Sequence, residues 1–172
     1  FAIDGKEVTD ELIIKAFEEN EGSILAFLPG VREIKQVQTF LKAKLANDLD
    51  IYPLYGAMSF DEQQKAISPS CRRKLILATS IAETSLTIKD IRIVIDSGLT
   101  RRSRFDPSSG MSRLITERVT KAEATQRMGR AGRTNTGVCY KMWTKGEEGG
   151  LKPFPEPEIL VSDLSSLAME LA

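Results

Sequence analysis

A chain of 172 residues, 41% hydrophobic and 28% charged, is long enough to bury one core and has the composition of an ordinary globular protein. Twenty-four basic residues balance twenty-four acidic ones, and the lack of histidine excludes His-based zinc sites and Ser-His or Cys-His nucleophilic pairs. No apolar run has the length of a membrane span and no signal-peptide pattern opens the chain, so a cytoplasmic protein without a membrane partner is expected.

Residues 1–24 carry seven carboxylates against two lysines, a balance of −5, and include an acidic amphipathic helix near Asp10–Asn20. "SILAFL" then reads as a short buried strand. "PGVREIKQVQTFLKAKL" follows as a helix, with Val31, Ile34, Val37, Leu41 and Leu45 near helical spacing. "IYPLY" is the next strand, and its proline argues for a sheet edge or a strand end. "SFDEQQKAI" begins with Ser59 and has Glu62 three residues later, the signature of a capping box. "KLILAT" and "IRIVIDS" are two strongly apolar strand runs separated by a short polar stretch. Alternating strands and helices imply right-handed crossovers, hence an α/β domain with a parallel sheet flanked by helices. Cys71 and Cys139 lack metal-ligand spacing and are expected to be reduced, buried thiols.

Two segments break the alternation. "TRRSRFDPSSGMSRLIT" flanks Asp-Pro-Ser-Ser-Gly with short runs and reads as an exposed β-hairpin at about 99–118, its arginines projecting from both faces. At the other end, "KPFPEPE" is a proline-rich connector, followed by an apolar stripe of Leu160, Leu164, Leu167 and Leu171. The stripe has little left to bury it, which points to a chain cut from something longer. The resulting division is an acidic lead-in at 1–22, a domain at 23–150, and a linker with one helix at 151–172.

Chemistry is expected beyond the carboxyl ends of the strands, where open parallel sheets bind ligands. "ATSIAETSLTI" sits at such an end with Thr79, Ser80, Thr84, Ser85, Thr87 and Glu83. Hydroxyls and N–H groups at a strand-to-helix turn suit phosphate oxygens, and a helix-capping Ser/Thr loop is the alternative. Residues 101–133 carry nine Lys/Arg against three acids, a balance of +6, and end in "QRMGRAGR". Continued as a helix, that segment puts Gln126, Arg130 and Arg133 on one face and points Arg127 elsewhere. Arginine forks suit bidentate phosphate contact, and the glycines, Gly129 among them, suggest close approach to the backbone. A solvated basic helix, the alternative, explains neither. No G-x-x-x-x-G-K-[ST] loop and no Asp-Glu pair for magnesium are present, so the arginines would act on a nucleotide bound elsewhere.

In this order, "FLPG", "PLYGAMSFDEQQKAI", "ATSIAETSLTI", "DSGL" and "QRMGRAGR" resemble the second RecA-like domain of a DEAH-box helicase. "RFDPSSGMSRLITERVTKAEATQRMGRAGR" and "PEILVSDLSSL" are most similar to the bacterial HrpB type, and the match covers roughly residues 22–170. The resemblance implies ATP-driven remodelling of RNA or DNA, with ATP and Mg2+ held mainly by a first RecA-like domain. It also implies a winged-helix domain that "PEILVSDLSSL" would begin, and single-stranded nucleic acid as partner. By resemblance, Arg130 and Arg133 stabilise transition-state charge, and Gln126 orients water or phosphate. Ser85 and Thr87, with Gly129, sense the nucleotide; Thr79 and Ser80 face the nucleic-acid backbone. Gly30, Arg32 and Gly56 are further backbone contacts, and the hairpin with Arg102 and Arg104 resembles a strand separator. The chain departs from the family at Ser80, where asparagine is common, at Ile67, where many relatives have a ring, and at Lys89, where a carboxylate holds the ribose. Asp90 as substitute and weak base selectivity both remain open. The competing functional reading is a binding module without motor activity; an oxidoreductase would need a G-x-G-x-x-G turn that is not found.

Overall fold

A computed structural model describes residues 7–45, 48–84, 86, 88–132 and 136–156. Helix α1 (Glu7–Glu19) leads into strand β1 (Ser23–Phe27), helix α2 (Val31–Leu45), edge strand β2 (Asp50–Leu54) and helix α3 (Phe60–Ile67). Strand β3 (Lys74–Ala78), the short helix α4 (Ile81–Thr84) and strand β4 (Ile91–Asp96) follow. Strands β5 (Leu99–Asp106) and β6 (Met111–Arg118) form the hairpin, before helix α5 (Lys121–Met128), strand β7 (Val138–Lys141) and helix α6 (Lys145–Gly149).

The five-stranded sheet runs β2-β3-β1-β4-β7, every pairing parallel, and the hairpin is a separate antiparallel ribbon. Parallel strands covered on both faces read as continuous apolar runs, and β1, β3 and β4 do so. Their alternate residues feed two cores. Ile24, Ala26, Leu75, Leu77, Ile93 and Ile95 pack with Ile13, Ile34, Val37 and Leu41 of α1 and α2. Leu25, Phe27, Ile76, Ala78 and Val94 pack on the opposite face with Ala66, Ala82 and Ile88. Each fully buried Leu or Ile contributes about 1.5–3 kcal/mol, so the inner strands anchor the sheet. Pro53 lies in β2, at the edge, where a missing N–H costs least. Ser59 and Glu62 close the expected capping box on α3, and Thr120 with Glu123 does the same for α5.

Several expectations are corrected. Strand β7 was not anticipated: "VCYK" is four residues long with no fully buried side chain, too weak a pattern to stand out from loop. Cys71 is exposed, because it falls in the loop between α3 and β3; Cys139 is half-buried on β7, and burial pushes its thiol up to about 11. Helix α5 stops at Met128, capped by Gly129, and then tightens: the N–H groups of Arg130 and Ala131 bond the carbonyls three residues back at 3.0 Å. The helical projection therefore holds only to Met128, since spacing of 100° per residue ends with the helix, and Arg133 lies outside the described residues. The leucine stripe of 160–171 lies outside the described residues.

Candidate functional site

The loops at the carboxyl ends of the parallel strands are laced together through the backbone. Leu28 N–H donates to Ala78 O (2.8 Å), Thr79 N–H to Leu54 O (3.1 Å), Ser97 N–H to Phe27 O (3.2 Å) and Met142 N–H to Asp96 O (2.9 Å). The ends of all five parallel strands thus meet on one edge of the sheet, as the strand order requires. Thr79 is half-buried and Ser80 exposed at the start of α4, whose first turn they close by accepting N–H bonds from Ala82 (3.3 Å) and Glu83 (2.9 Å). Gly56, after β2, lies beside them: a Cβ there would stand 4.0 Å from Ile81 Cδ1. Gly56 thus packs near the first residue of α4, the helix that Thr79 and Ser80 open. Arg32 is exposed at the start of α2.

Gly30 is packed against a side chain of the hairpin. A Cβ at this position would meet the Arg101 guanidinium at 2.7 Å, and Arg101 continues to Glu33, 3.2 Å away. The glycine seats the hairpin root against α2.

Helix α5 divides the predicted arginine comb. Gln126 is exposed, whereas Arg130 is 5% exposed and turned inward, so they do not share a surface. Arg130 Nε donates to Glu83 O at 2.9 Å, and its two terminal nitrogens reach the Glu83 and Leu86 carbonyls. The Glu83 carbonyl is an open acceptor in the last turn of α4 and Leu86 lies two residues beyond the helix, a spread that a guanidinium fork matches. Gly129 has an ordinary helical φ of −64°, while Gly132 has φ +74°, the left-handed conformation that favours glycine. The backbone turn accounts for Gly132 without any ligand close to it. Arg133, Ser85 and Thr87 lie outside the described residues.

The centre of the site is a side chain that sequence reasoning passed over. Arg127 is fully buried; its Nε donates to Glu83 Oε1 (2.7 Å) and its Nη1 to Asp96 Oδ1 (2.8 Å) and Leu99 O (3.2 Å). Its guanidinium also stands 4.9 Å from the Phe27 ring centroid. Burial pushes the Glu83 carboxyl above the usual carboxylate range, with Arg127 opposing the shift. Desolvation acts to lower the Arg127 pKa, but Asp96 and Glu83 together hold it above the ordinary value. The signal was available: Glu123, Ala124 and Arg127 fall at helical spacing and are the inward face of α5.

The hairpin arginines are also less free than expected. Arg102 donates to Glu123 at 2.7–2.8 Å, and Arg104 binds Glu117 in bidentate fashion at 2.8 and 2.9 Å and reaches Glu156. Alternation explains this: the register puts Arg102, Arg104 and Glu117 on the same face of the ribbon, turned toward α5 and the 150–156 connector. Arg118 pairs with Glu147. Among the described residues, Arg113 is the one hairpin arginine without an ion-pair partner, and it shares the tip strand with exposed Met111, Leu114 and Ile115. A cleft of about 400 Å³ lies between the hairpin base, α6 and the connector, lined by Arg102, by Arg104 with Glu117 and Glu156, and by Arg118 with Glu147. No group of three or more Cys, Asp or Glu side chains among the described residues is placed to hold a metal, and no helix there is long and apolar enough to cross a membrane.

Comparison with known proteins agrees with this architecture. The helicase conserved C-terminal domain family matches residues 6–135. The ATP-dependent RNA helicase HrpB of Escherichia coli is 50% identical over 155 residues, covering 89% of this chain and 19% of the relative. A probable ATP-dependent RNA helicase of mouse, DHX34, is 39% identical over 157 residues, covering 89% of this chain and 14% of that protein. The crystal structure of the E. coli DEAH/RHA helicase HrpB superposes with a TM-score of 0.91 at 46% identity, over 96% of this chain and 22% of that one. The chain thus spans about a fifth of the length of its bacterial relative.

Proposed function

Because the chain belongs to the helicase conserved C-terminal domain family, we propose that it is the second motor lobe of a DEAH-box, ATP-dependent RNA helicase. One observation carries the reading: α4, whose first turn Thr79 and Ser80 close, is bonded to α5 and the turn after it at the carboxyl edge of the sheet, through Arg127 and Arg130 to Glu83. A lobe built this way can relay a phosphate contact at one segment to a nucleic-acid contact at the other.

The donor set fits a terminal phosphate offered from another domain. Gln126 is at the surface to orient water or phosphate, and Arg130 supplies a planar cation together with Arg133. Arg130 would exchange the Glu83 and Leu86 carbonyls for phosphate oxygens, which links its engagement to the segment holding Ser85 and Thr87. ATP and Mg2+ would be held mainly by a first RecA-like domain of the same protein, and single-stranded RNA would lie across Thr79, Ser80, Gly56 and Arg32. A winged-helix domain would follow the connector.

A second reading, an RNA-binding module without motor activity, is favoured by the occupied state of Arg130, whose guanidinium is already spent on backbone carbonyls. Kinetics separates the two. In the full-length protein, Arg130→Ala or Arg133→Ala should lower ATP turnover by about 10³-fold, the scale of arginine fingers, with nucleotide-free RNA affinity little changed. The 172-residue chain alone should show no ATPase above background. Turnover that survives both substitutions, or hydrolysis by the isolated chain, sinks the motor-lobe reading.

A further inference from the structure

Arg127 touches more of the lobe's working parts than any role assigned so far requires. Its three donor bonds end on α4 (Glu83), on the end of β4 (Asp96) and on the first residue of the hairpin (Leu99 O). Asp96 Oδ1 also accepts the Gly98 N–H at 2.9 Å, so both residues at the hairpin root hang on this one ion pair. Gln126 precedes Arg127 directly on α5, and Arg130 follows within one turn to grip the same Glu83 from its carbonyl side.

Stability does not account for the arrangement. Arg127 Nη2 and Asp96 Oδ2 are both buried without a hydrogen-bond partner. A buried network left one donor and one acceptor short is a poor way to hold a core, which apolar side chains of similar volume fill as well or better. What the network does provide is geometry: a planar fork fixed at three points transmits displacement of any one to the others.

We propose that Arg127 is a positioning residue, through which the hairpin root and the turn after β3 set the orientation of the phosphate-facing end of α5. The inference rests on the motor-lobe reading, in which those segments contact nucleic acid and α5 contacts the nucleotide. Arg127 itself touches neither. Its effect is on the coupling between them.

Arg127→Ala would strand two buried carboxylates and can unfold the lobe, so the test uses Glu83→Gln, which keeps an oxygen acceptor of the same shape for Nε. In the full-length protein, with ATP and a single-stranded oligouridylate as probes, RNA-stimulated kcat should fall about tenfold, within the usual range of coupling energies. The KM for ATP and the RNA Kd should each move less than about threefold. A second readout needs no activity. Trp143 is the single tryptophan of the chain, and its ring packs on Gly98, where a Cβ would meet it at 2.7 Å. In the 172-residue chain, Glu83→Gln should alter acrylamide quenching of Trp143, although residue 83 lies on another element. Unchanged kcat and unchanged quenching in a folded variant overturn the proposal; so does a parallel loss of kcat, RNA affinity and cooperative unfolding, which marks a merely structural role. If the unsubstituted full-length protein shows no RNA-stimulated ATPase, the motor-lobe reading fails, and Trp143 quenching alone decides whether the linkage exists.

Discussion

Arg127 and the pair Arg102–Arg104 use one side-chain type in two dielectric settings. The Arg127 side chain has 0% exposure and bonds two carboxylates at 2.7 and 2.8 Å. Arg102 and Arg104 keep 23% and 19% of their side-chain surface and bond three carboxylates at similar distances. Near-equal geometry does not mean near-equal worth. Water and salt screen the pairs with Glu117 and Glu156, and holding long side chains in one rotamer costs entropy, so those pairs add little to stability; Glu123, buried on α5, keeps its Thr120 cap without Arg102. Inside the lobe nothing screens the charge, and removing one member leaves its partners buried and unpaired. The hairpin is thus an electrostatically seated element that can shift, whereas the α4–α5–β4 junction is one unit.

The largest expected effect follows from that contrast. Arg127→Ala should destabilise the chain by about 3–5 kcal/mol, measured by urea unfolding, because Glu83 and Asp96 lose their shared cation. The double replacement Arg102→Ser and Arg104→Ser should move the same unfolding midpoint only slightly. Equal losses would break the comparison and make the hairpin part of the core.

A smaller effect sharpens the hairpin side of it. In the full-length protein, Arg102→Ser with Arg104→Ser should reduce duplex unwinding much more than RNA-stimulated ATPase, because the substitutions loosen the hairpin's seat, while α5 loses only the Arg102–Glu123 contact and keeps its Thr120 cap and the bonds of Arg127 and Arg130 to Glu83. A parallel fall would mean that these arginines act through general RNA affinity. No change in either assay would show that their pairing with Glu117, Glu123 and Glu156 is only a surface feature.

The smallest effect is in pH. Hydrogen bonds from Lys152 and Arg104 pull Glu156 from the usual 4.5 down to about 2, and Arg104 holds Glu117 below its usual range. Both folded values are depressed, so the contribution of these pairs is complete above pH 4.5 and is lost as pH falls toward 2. Amide-exchange protection in residues 99–118 should drop across that window before protection in β1, β3 and β4 does. Loss in the sheet strands first would contradict the separation of the two regions.

Much of the fold was legible in short stretches. Apolar runs marked the inner strands, Pro53 marked the edge, and Ser59 with Glu62 marked a helix start. Asp-Pro-Ser-Ser-Gly marked the hairpin, where Gly110 takes φ +64°. Each signal is local: steric preference, periodicity or a cap within four residues. The candidate site was only half legible. Thr79 and Ser80 were expected at a strand end, and the turn they form does bond the end of β2 through Thr79 N–H to Leu54 O, because a parallel sheet gathers such loops on one edge. The seat of Gly30 under Arg101 was not foreseeable, since the two residues belong to different elements.

By itself, then, the sequence determined most of the strands and helices, though not β7 or α6, their parallel α/β character, and which loops hold hydroxyls and arginines. Tertiary structure decided where those arginines point. Arg127 finds Glu83 and Asp96 at 44 and 31 residues' distance, Arg104 finds Glu156 at 52, and Arg130 turns onto carbonyls 44 and 47 residues away. A guanidinium is long, flexible and satisfied by any well-placed oxygen, so its partner is chosen by whichever acceptors packing brings within reach. Hydrophobic periodicity specifies which face of α5 is buried; only the packed sheet specifies that a charge waits there to be met.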